Sequence, residues 1–180
     1  MSSRRQSAVS ALEPPPVIVA NGWNIYAHPL FVDQFEALLS EVERFQKEDP
    51  TGYREKKKTK LLAAILKMAF EVIPHDPTDR VFLQGNTLGT SYRHWLRGKF
   101  FEGRYRLFFR YSKVAKTIVL AWVNDDETLR TYGSKTDAYA VFKGMLDKNR
   151  PPDDWEALLK EAKAGASRAK GIMTRSKNAR

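Results

Sequence analysis

A chain of 180 residues with 31 Lys and Arg against 21 Asp and Glu carries a formal net charge of +10 at a pI near 9.8, which points to a polyanionic partner. Hydrophobic residues at 42 % and aromatics at 12 % suffice for one packed domain with tails. The lack of cysteine excludes disulfides and thiolate metal sites, and no apolar run approaches the roughly 18–20 residues of a transmembrane helix; the Ser- and Pro-rich start lacks a secretory signal's apolar centre, so a cytoplasmic protein with no membrane partner is expected.

In chain order, residues 1–19 read as a disordered extension around Pro14-Pro15-Pro16, 20–162 as the folded domain, and 163–180 as a basic tail without regular structure. Val17–Tyr26 is apolar enough for an opening strand, or for two pieces if Asn21-Gly22 turns inside it. Phe31, Phe35, Leu38, Leu39, Val42 and Phe45 follow one face of a helix over about 30–47. A second helix is predicted from Tyr53 to Ile73, stopping before Pro74. Its early lysines, Lys56, Lys57 and Lys60, are either a solvated helix start or secondary phosphate contacts; cations at a helix N-terminus oppose the dipole preference, which leans toward a functional reason. The long loop 74–93, with Leu83 and Leu88 expected to tuck inward, precedes the most informative stretch.

That stretch, HWLRGKFFEGRYRLFFRY (His94–Tyr111), reads as a β-hairpin turning at Glu102-Gly103. Alternate side chains of a strand face opposite ways. A two- or four-residue turn pairs Lys99 with Arg106 and Arg97 with Phe108, and puts Arg97, Lys99, Arg104, Arg106, Phe108 and Arg110 on one face. Like charges directly opposite destabilise a ladder by roughly 0.2–1 kcal/mol. Folding gains nothing from that; holding a polyanion does. The competing explanation is a solvated edge whose cations discourage aggregation. Thr117–Val123 is apolar on both sides and reads as a central strand. Ser134-x-x-Asp137 resembles a capping box opening a helix over 136–149, and Asp153-x-x-Glu156 starts a short last helix. The sum is an α+β domain: a small, mainly antiparallel sheet of about four strands, two N-terminal helices and C-terminal helices.

Other chemistry is thin. His28, His75 and His94 lack metal-ligand spacing, and His94 alone is worth testing as a general base. Asp125-Asp126-Glu127 is one acidic run in a loop, whereas a two-metal site needs carboxylates converging from several elements. No metal or cofactor is expected. A cationic sheet face with tyrosines can bind RNA, and it can also stabilise a pentacoordinate phosphate while the RNA's own 2′-OH attacks.

NGWNIYAHP (Asn21–Pro29), KLLAAILK (Lys60–Lys67), GRYRLFFRYS (Gly103–Ser112), NDDETLRTYGSKTDAYAVFKGML (Asn124–Leu146) and PPDDWE (Pro151–Glu156) together resemble, in order, the YhaV toxin family of type II toxin–antitoxin systems. The resemblance implies a RelE-like toxin fold and a ribosome-associated, metal-independent endoribonuclease that cuts mRNA and halts translation. It implies as partners mRNA, the ribosome, a PrlF-type antitoxin of AbrB-like fold and, as the toxin–antitoxin complex, operator DNA. By that resemblance Arg97, Lys99 and Arg106 hold the scissile phosphate; Lys99 accepts the 2′-OH proton if Arg97 and Arg106, as like-charge neighbours, lower its pKa. Arg130 stabilises the leaving 5′-oxygen, and Tyr139 orients the nucleotide. Arg104, Phe108 and Arg110 remain as RNA contacts, Phe108 by stacking. The alternative from another class is a non-catalytic basic RNA- or ribosome-binding module.

Overall fold

Asn21 and Gly22 both adopt positive φ, 49° and 78°, the geometry that joins two strands with a two-residue turn. The opening apolar run is therefore a hairpin, β1 (Ile18–Ala20) and β2 (Trp23–Ala27), in a computed structural model that describes residues 13–179. Most of the expected N-terminal extension, residues 1–12, lies outside the described residues. Helix α1 (Pro29–Glu48) follows; after a single turn at Tyr53–Glu55 comes α2 (Lys57–Lys67). The chain does not stop at Pro74. Pro74 has no N–H and its ring crowds the carbonyl four residues back, so the helix widens to a π turn at Met68–Val72 and passes the proline in a last turn, α3 (Ile73–His75). The hairpin strands are β3 (Leu96–Phe100) and β4 (Tyr105–Ser112), then β5 (Thr117–Val123), α4 (Ala138–Asp147), α5 (Trp155–Ala164) and α6 (Ala166–Ser176).

The sheet has five strands in the order β1-β2-β5-β4-β3, against the expected four or so. The pairing of β2 with β5 is parallel; the other pairings are antiparallel. The register of the β3–β4 hairpin is the expected one, Lys99 opposite Arg106 and Arg97 opposite Phe108. Its turn runs through Phe101, Glu102 and Gly103, all at positive φ.

Helices cover both faces. On one, Ile25, Leu107, Phe109, Ile118 and Leu120 pack under α1, α2 and α6. On the other, Trp95, Phe108, Val119 and Trp122 pack against Tyr139, Phe142 and Leu158 of α4 and α5. β5 serves both by alternation, and a β-bulge shifts its phase: Phe108 pairs with Trp122 and Phe109 with Leu120, so Ala121 is the extra residue and joins Trp122 in the α4–α5 layer. The face expected to be an open cationic surface is thus roofed by α4 and α5 over most of its length, and its cations emerge only where the roof ends. Leu88 is buried as expected, but Leu83 is 53 % exposed and only bridges the edge strand at Leu96.

The C-terminal segment departs most from expectation. Residues from 163 on form the end of α5 and all of α6, in place of an unstructured tail. Ala166, Ala169, Ile172 and Met173 of α6 are buried, and Arg168 and Arg175 pair with Asp33, Glu36 and Glu43 on α1. Alanines let the helix approach closely, so a segment with little bulk still buries a seam.

His28 fastens the start of α1. Its Nδ1 accepts from the Leu30 N–H at 3.2 Å, so its Nε2–H donates to Glu161 at 2.6 Å. Burial depresses its pKa below the ordinary 6.5, opposed in part by Glu161. The unfolded chain takes up this proton more readily than the folded one. The stabilisation from a neutral His28 is therefore complete above about pH 6.5 and is lost as pH falls through the lowered folded pKa. Urea midpoints should decline below that pH, and His28→Gln should flatten the decline. His28→Ala should cost about 1 kcal/mol at pH 7.5 through the lost cap.

Candidate functional site

The site forms where β3, β4 and the N-terminus of α4 meet. Arg97 and Arg106 project from diagonal positions of neighbouring strands on the same face. Gly98, between Arg97 and Lys99, lies so close to the π turn that a Cβ there would run into Met68 Sδ; glycine lets β3 seat at that depth. Asp137 caps α4 and accepts from the Tyr139 N–H at 3.1 Å, which places Tyr139 in the first turn, above the two arginines. The cap is Asp137 itself, and Ser134 bonds locally to Thr136 instead of closing the expected capping box.

The Tyr139 hydroxyl accepts from Arg97 Nε at 2.9 Å and from Arg106 Nε at 3.0 Å. With both lone pairs engaged, the phenol has only its own proton left to give. The second donors of the arginines go to backbone: Arg97 Nη1 to the Val81 carbonyl at 2.8 Å, Arg106 Nη1 to the Gly103 carbonyl. Neither Nη2 has a partner among the described residues, where the one fully buried side-chain N or O lacking a partner is Thr59 Oγ1. The two Nη2 groups therefore reach the surface although the residues are only 8 % and 4 % exposed. The protein holds each guanidinium at Nε and Nη1 and leaves its Nη2 without a protein partner among the described residues, a charged donor left for an oxyanion.

Arg130 completes the group. It pairs with Asp137 at 2.6 Å, and its guanidinium lies over the Tyr139 ring at 4.8 Å and over the Tyr132 ring at 3.7 Å. Burial opposes ionisation of Asp137. The Arg130 hydrogen bond and charge and the N–H groups of Thr131 and Tyr139 outweigh it, and they hold the carboxyl below the usual range. On Arg130 burial acts against the charge, yet Asp137 raises its pKa on balance. The structure thus brings together Arg97, Arg106, Arg130 and Tyr139, with Lys99 exposed at the lip, one ladder step from Arg97 on the same face.

Other expected contacts fall elsewhere. Phe108 is fully buried, stacked on Phe142 at 4.2 Å and against Trp122, so it has no face for a nucleobase; this corrects the reading of it as an RNA stacker. Its parity was right, but α4 lies over it. Arg110 is also drawn away: its guanidinium sits between Trp95 and Trp155 at 5.5 and 5.6 Å and donates to the Asp153 carbonyl. Burial lowers its pKa. Arg104 stays exposed at the turn. Of the early lysines, Lys57 pairs with Asp126, Lys60 with Glu55, and Lys56 lies over the Phe45 ring; such exposed pairs are weak and leave the cations available. His94 is held by Asp153 at 2.6 Å, away from the arginine group.

Sequence reasoning missed Asn124, and it named Asp137 only in the helix-opening motif, with no part in the site. Asn124 is buried; its Oδ1 accepts from the Arg106 N–H at 2.6 Å and its Nδ2 donates to the carbonyls of Arg104 and Thr128, both at 3.0 Å. It stitches the arginine strand to the segment leading to Arg130. An Asn directly after an apolar strand was the available signal. Asp125 then caps the next turn, with Thr128 returning the bond, so part of the acidic run is structural. Among the described residues no group of three or more His, Cys, Asp or Glu is placed to hold a metal ion, and no helix is long and apolar enough to cross a membrane.

Comparison with known proteins supplies the family. Residues 25–163 match the family model for a toxin with endonuclease activity, of a toxin–antitoxin system. The chain is 51 % identical over 142 residues to the ribonuclease toxin YhaV of Escherichia coli strain K12, covering 78 % of this chain and 92 % of that protein. The same figures hold for toxin YhaV of Escherichia coli O157:H7 and of O6:H1 strain CFT073. No solved structure matches. With the family model spanning most of the chain, the protein belongs to the YhaV family of toxins with endonuclease activity.

Proposed function

We propose that this toxin is a metal-independent endoribonuclease acting on mRNA, engaged with the ribosome, whose cutting stops translation in the cytoplasm. The observation carrying this reading is that Arg97 and Arg106 are pinned through their Nε groups on one tyrosine hydroxyl, each with its Nη2 left unpartnered among the described residues. A phosphodiester set against them has its non-bridging oxygens on two fixed cations. In the reaction the 2′-oxygen forms a bond to phosphorus and the bond from phosphorus to the 5′-oxygen breaks. Charge grows on the phosphoryl oxygens, where pre-aimed guanidiniums are worth most. Lys99 at the lip, in its free-amine form, takes the 2′-OH proton; Arg130 offsets charge on the departing 5′-oxygen, which takes its own proton from water. Tyr139 acts chiefly through the arginines, since its ring is enclosed. Arg104, Lys56, Lys57 and Lys60 extend the track for the rest of the strand. The products carry a 2′,3′-cyclic phosphate and a 5′-hydroxyl.

The remaining RelE-like features follow the family: an antitoxin of PrlF type that silences the toxin, and a joint complex that represses the operon. The test is cleavage of ribosome-bound and free mRNA in EDTA, mapped by primer extension. Full activity with cyclic-phosphate ends is expected, falling by about 100-fold or more for Arg106→Ala. A requirement for divalent metal, or 3′-hydroxyl products, would overturn the mechanism. Retained RNA binding with no cutting by the wild-type chain would favour a binding module.

A further inference from the structure

Tyr132 has the largest exposed aromatic surface near the site, 83 % accessible, and it is not free to wander. The Arg130 guanidinium lies 3.7 Å from its ring centroid, and Arg130 is itself fixed by Asp137 and lies over the Tyr139 ring. The result is a layered series running outward from the buried tyrosine: Tyr139, Arg130, then Tyr132. The series ends on an aromatic face with no protein group against it among the described residues. A tyrosine whose ring only packed would bury it.

We infer that the open face of Tyr132 is a nucleobase subsite, which stacks a base of single-stranded RNA next to the scissile phosphate held by Arg97 and Arg106. This rests on the ribonuclease reading and deepens it. A ring backed by a cation on one side and open on the other suits a π-face of any base, and stacking of this kind is sequence-tolerant. It also resolves a difficulty: a tyrosine was expected to orient the nucleotide, but the Tyr139 ring is enclosed by Phe108, Arg106 and Arg130, with the residue 4 % exposed. Tyr132 sits two residues from Arg130, so base and leaving oxygen would be held by one segment.

The test uses the full chain and a 2′-O-methyl RNA dodecamer with 2-aminopurine at successive positions, which cannot undergo 2′-OH attack. Binding should quench 2-aminopurine fluorescence at one or two positions. Tyr132→Leu keeps an apolar cover on Arg130 and should abolish the position-specific quenching and weaken binding about tenfold; Tyr132→Trp should keep both. Because the residue is exposed, thermal melting of all variants should match wild type. Unchanged quenching and affinity in Tyr132→Leu would overturn the inference, as would wild-type binding without quenching at any position. Quenching that depends on Tyr132 in a chain that never cuts RNA would sustain the subsite while sinking the nuclease reading.

Discussion

Replacing Tyr139 by phenylalanine should lower the rate of RNA cleavage by about 100- to 1000-fold while leaving the chain folded. The expectation comes from one missing oxygen. In the native site the Nε groups of Arg97 and Arg106 converge on the same hydroxyl at 2.9 and 3.0 Å. Phenylalanine keeps the ring against Phe108, and keeps it beneath the Arg106 and Arg130 guanidiniums. It removes the common acceptor, so two like charges in a poorly hydrated place lose what held them side by side. Each guanidinium then retains its carbonyl anchor, Val81 for Arg97 and Gly103 for Arg106, and rotates about it. An unsatisfied buried donor costs about 1–3 kcal/mol, part of which appears as lower stability. Loss of a pre-aimed donor to a developing oxyanion costs a similar amount again in the barrier. Measured together, urea midpoints and single-turnover cleavage separate the two. A Tyr139→Phe variant that cuts at the native rate would show that the arginines do not need their shared acceptor. That would remove the pinning argument.

What the sequence made legible, and what it did not, follows from the range of the forces involved. The Lys99–Arg106 pairing was readable because side-chain alternation and a Glu-Gly turn are local, and the observed register agrees. The same rule placed Phe108 among the arginines correctly but was silent on what lies above them. Whether a strand face is wet or roofed depends on α4, some thirty residues away in the chain, and no period in the strand reports it. Arg110 is half the same case: Trp95 continues the hairpin register beside it, but its other indole, Trp155, comes from α5. Helix α6 was hidden for another reason. Its buried seam, Ala166, Ala169, Ile172, Met173 and Ser176, holds few large apolar residues, and its many cations made it read as an unstructured basic tail. Yet α1 displays Asp33, Glu36 and Glu43 along its outer side, and Arg168 and Arg175 answer them. Arg130 and Tyr139 came from family resemblance; that Asp137, read only as part of a helix start, and Asn124 hold them came from the folded chain.

The second large effect is at Phe108, where the two readings predict opposite phenotypes. A stacking residue on an open cationic face would tolerate Phe108→Ala in the fold and lose RNA affinity. The observed ring is fully buried, stacked at 4.2 Å on Phe142, and also meets Trp122 and Tyr139. Truncation there removes a large apolar surface and leaves a cavity between rings that cannot all close inward, so a loss of about 3–5 kcal/mol is expected. Against a typical domain stability of about 5–15 kcal/mol, this is enough to leave a sizeable unfolded fraction at growth temperature in the weaker case. Phe108→Leu keeps most of the volume and should cost less, roughly 1–2 kcal/mol. The chemistry should follow the packing: Tyr139 rests its ring edge on Phe108, so the folded fraction of Phe108→Ala should also cut slowly, with Phe108→Leu nearer wild type. Urea unfolding by tryptophan fluorescence and cleavage at low temperature, where the variant is folded, give the two readouts. A Phe108→Ala chain within about 1 kcal/mol of wild-type stability that binds RNA poorly would restore the stacking role and contradict the roofed face.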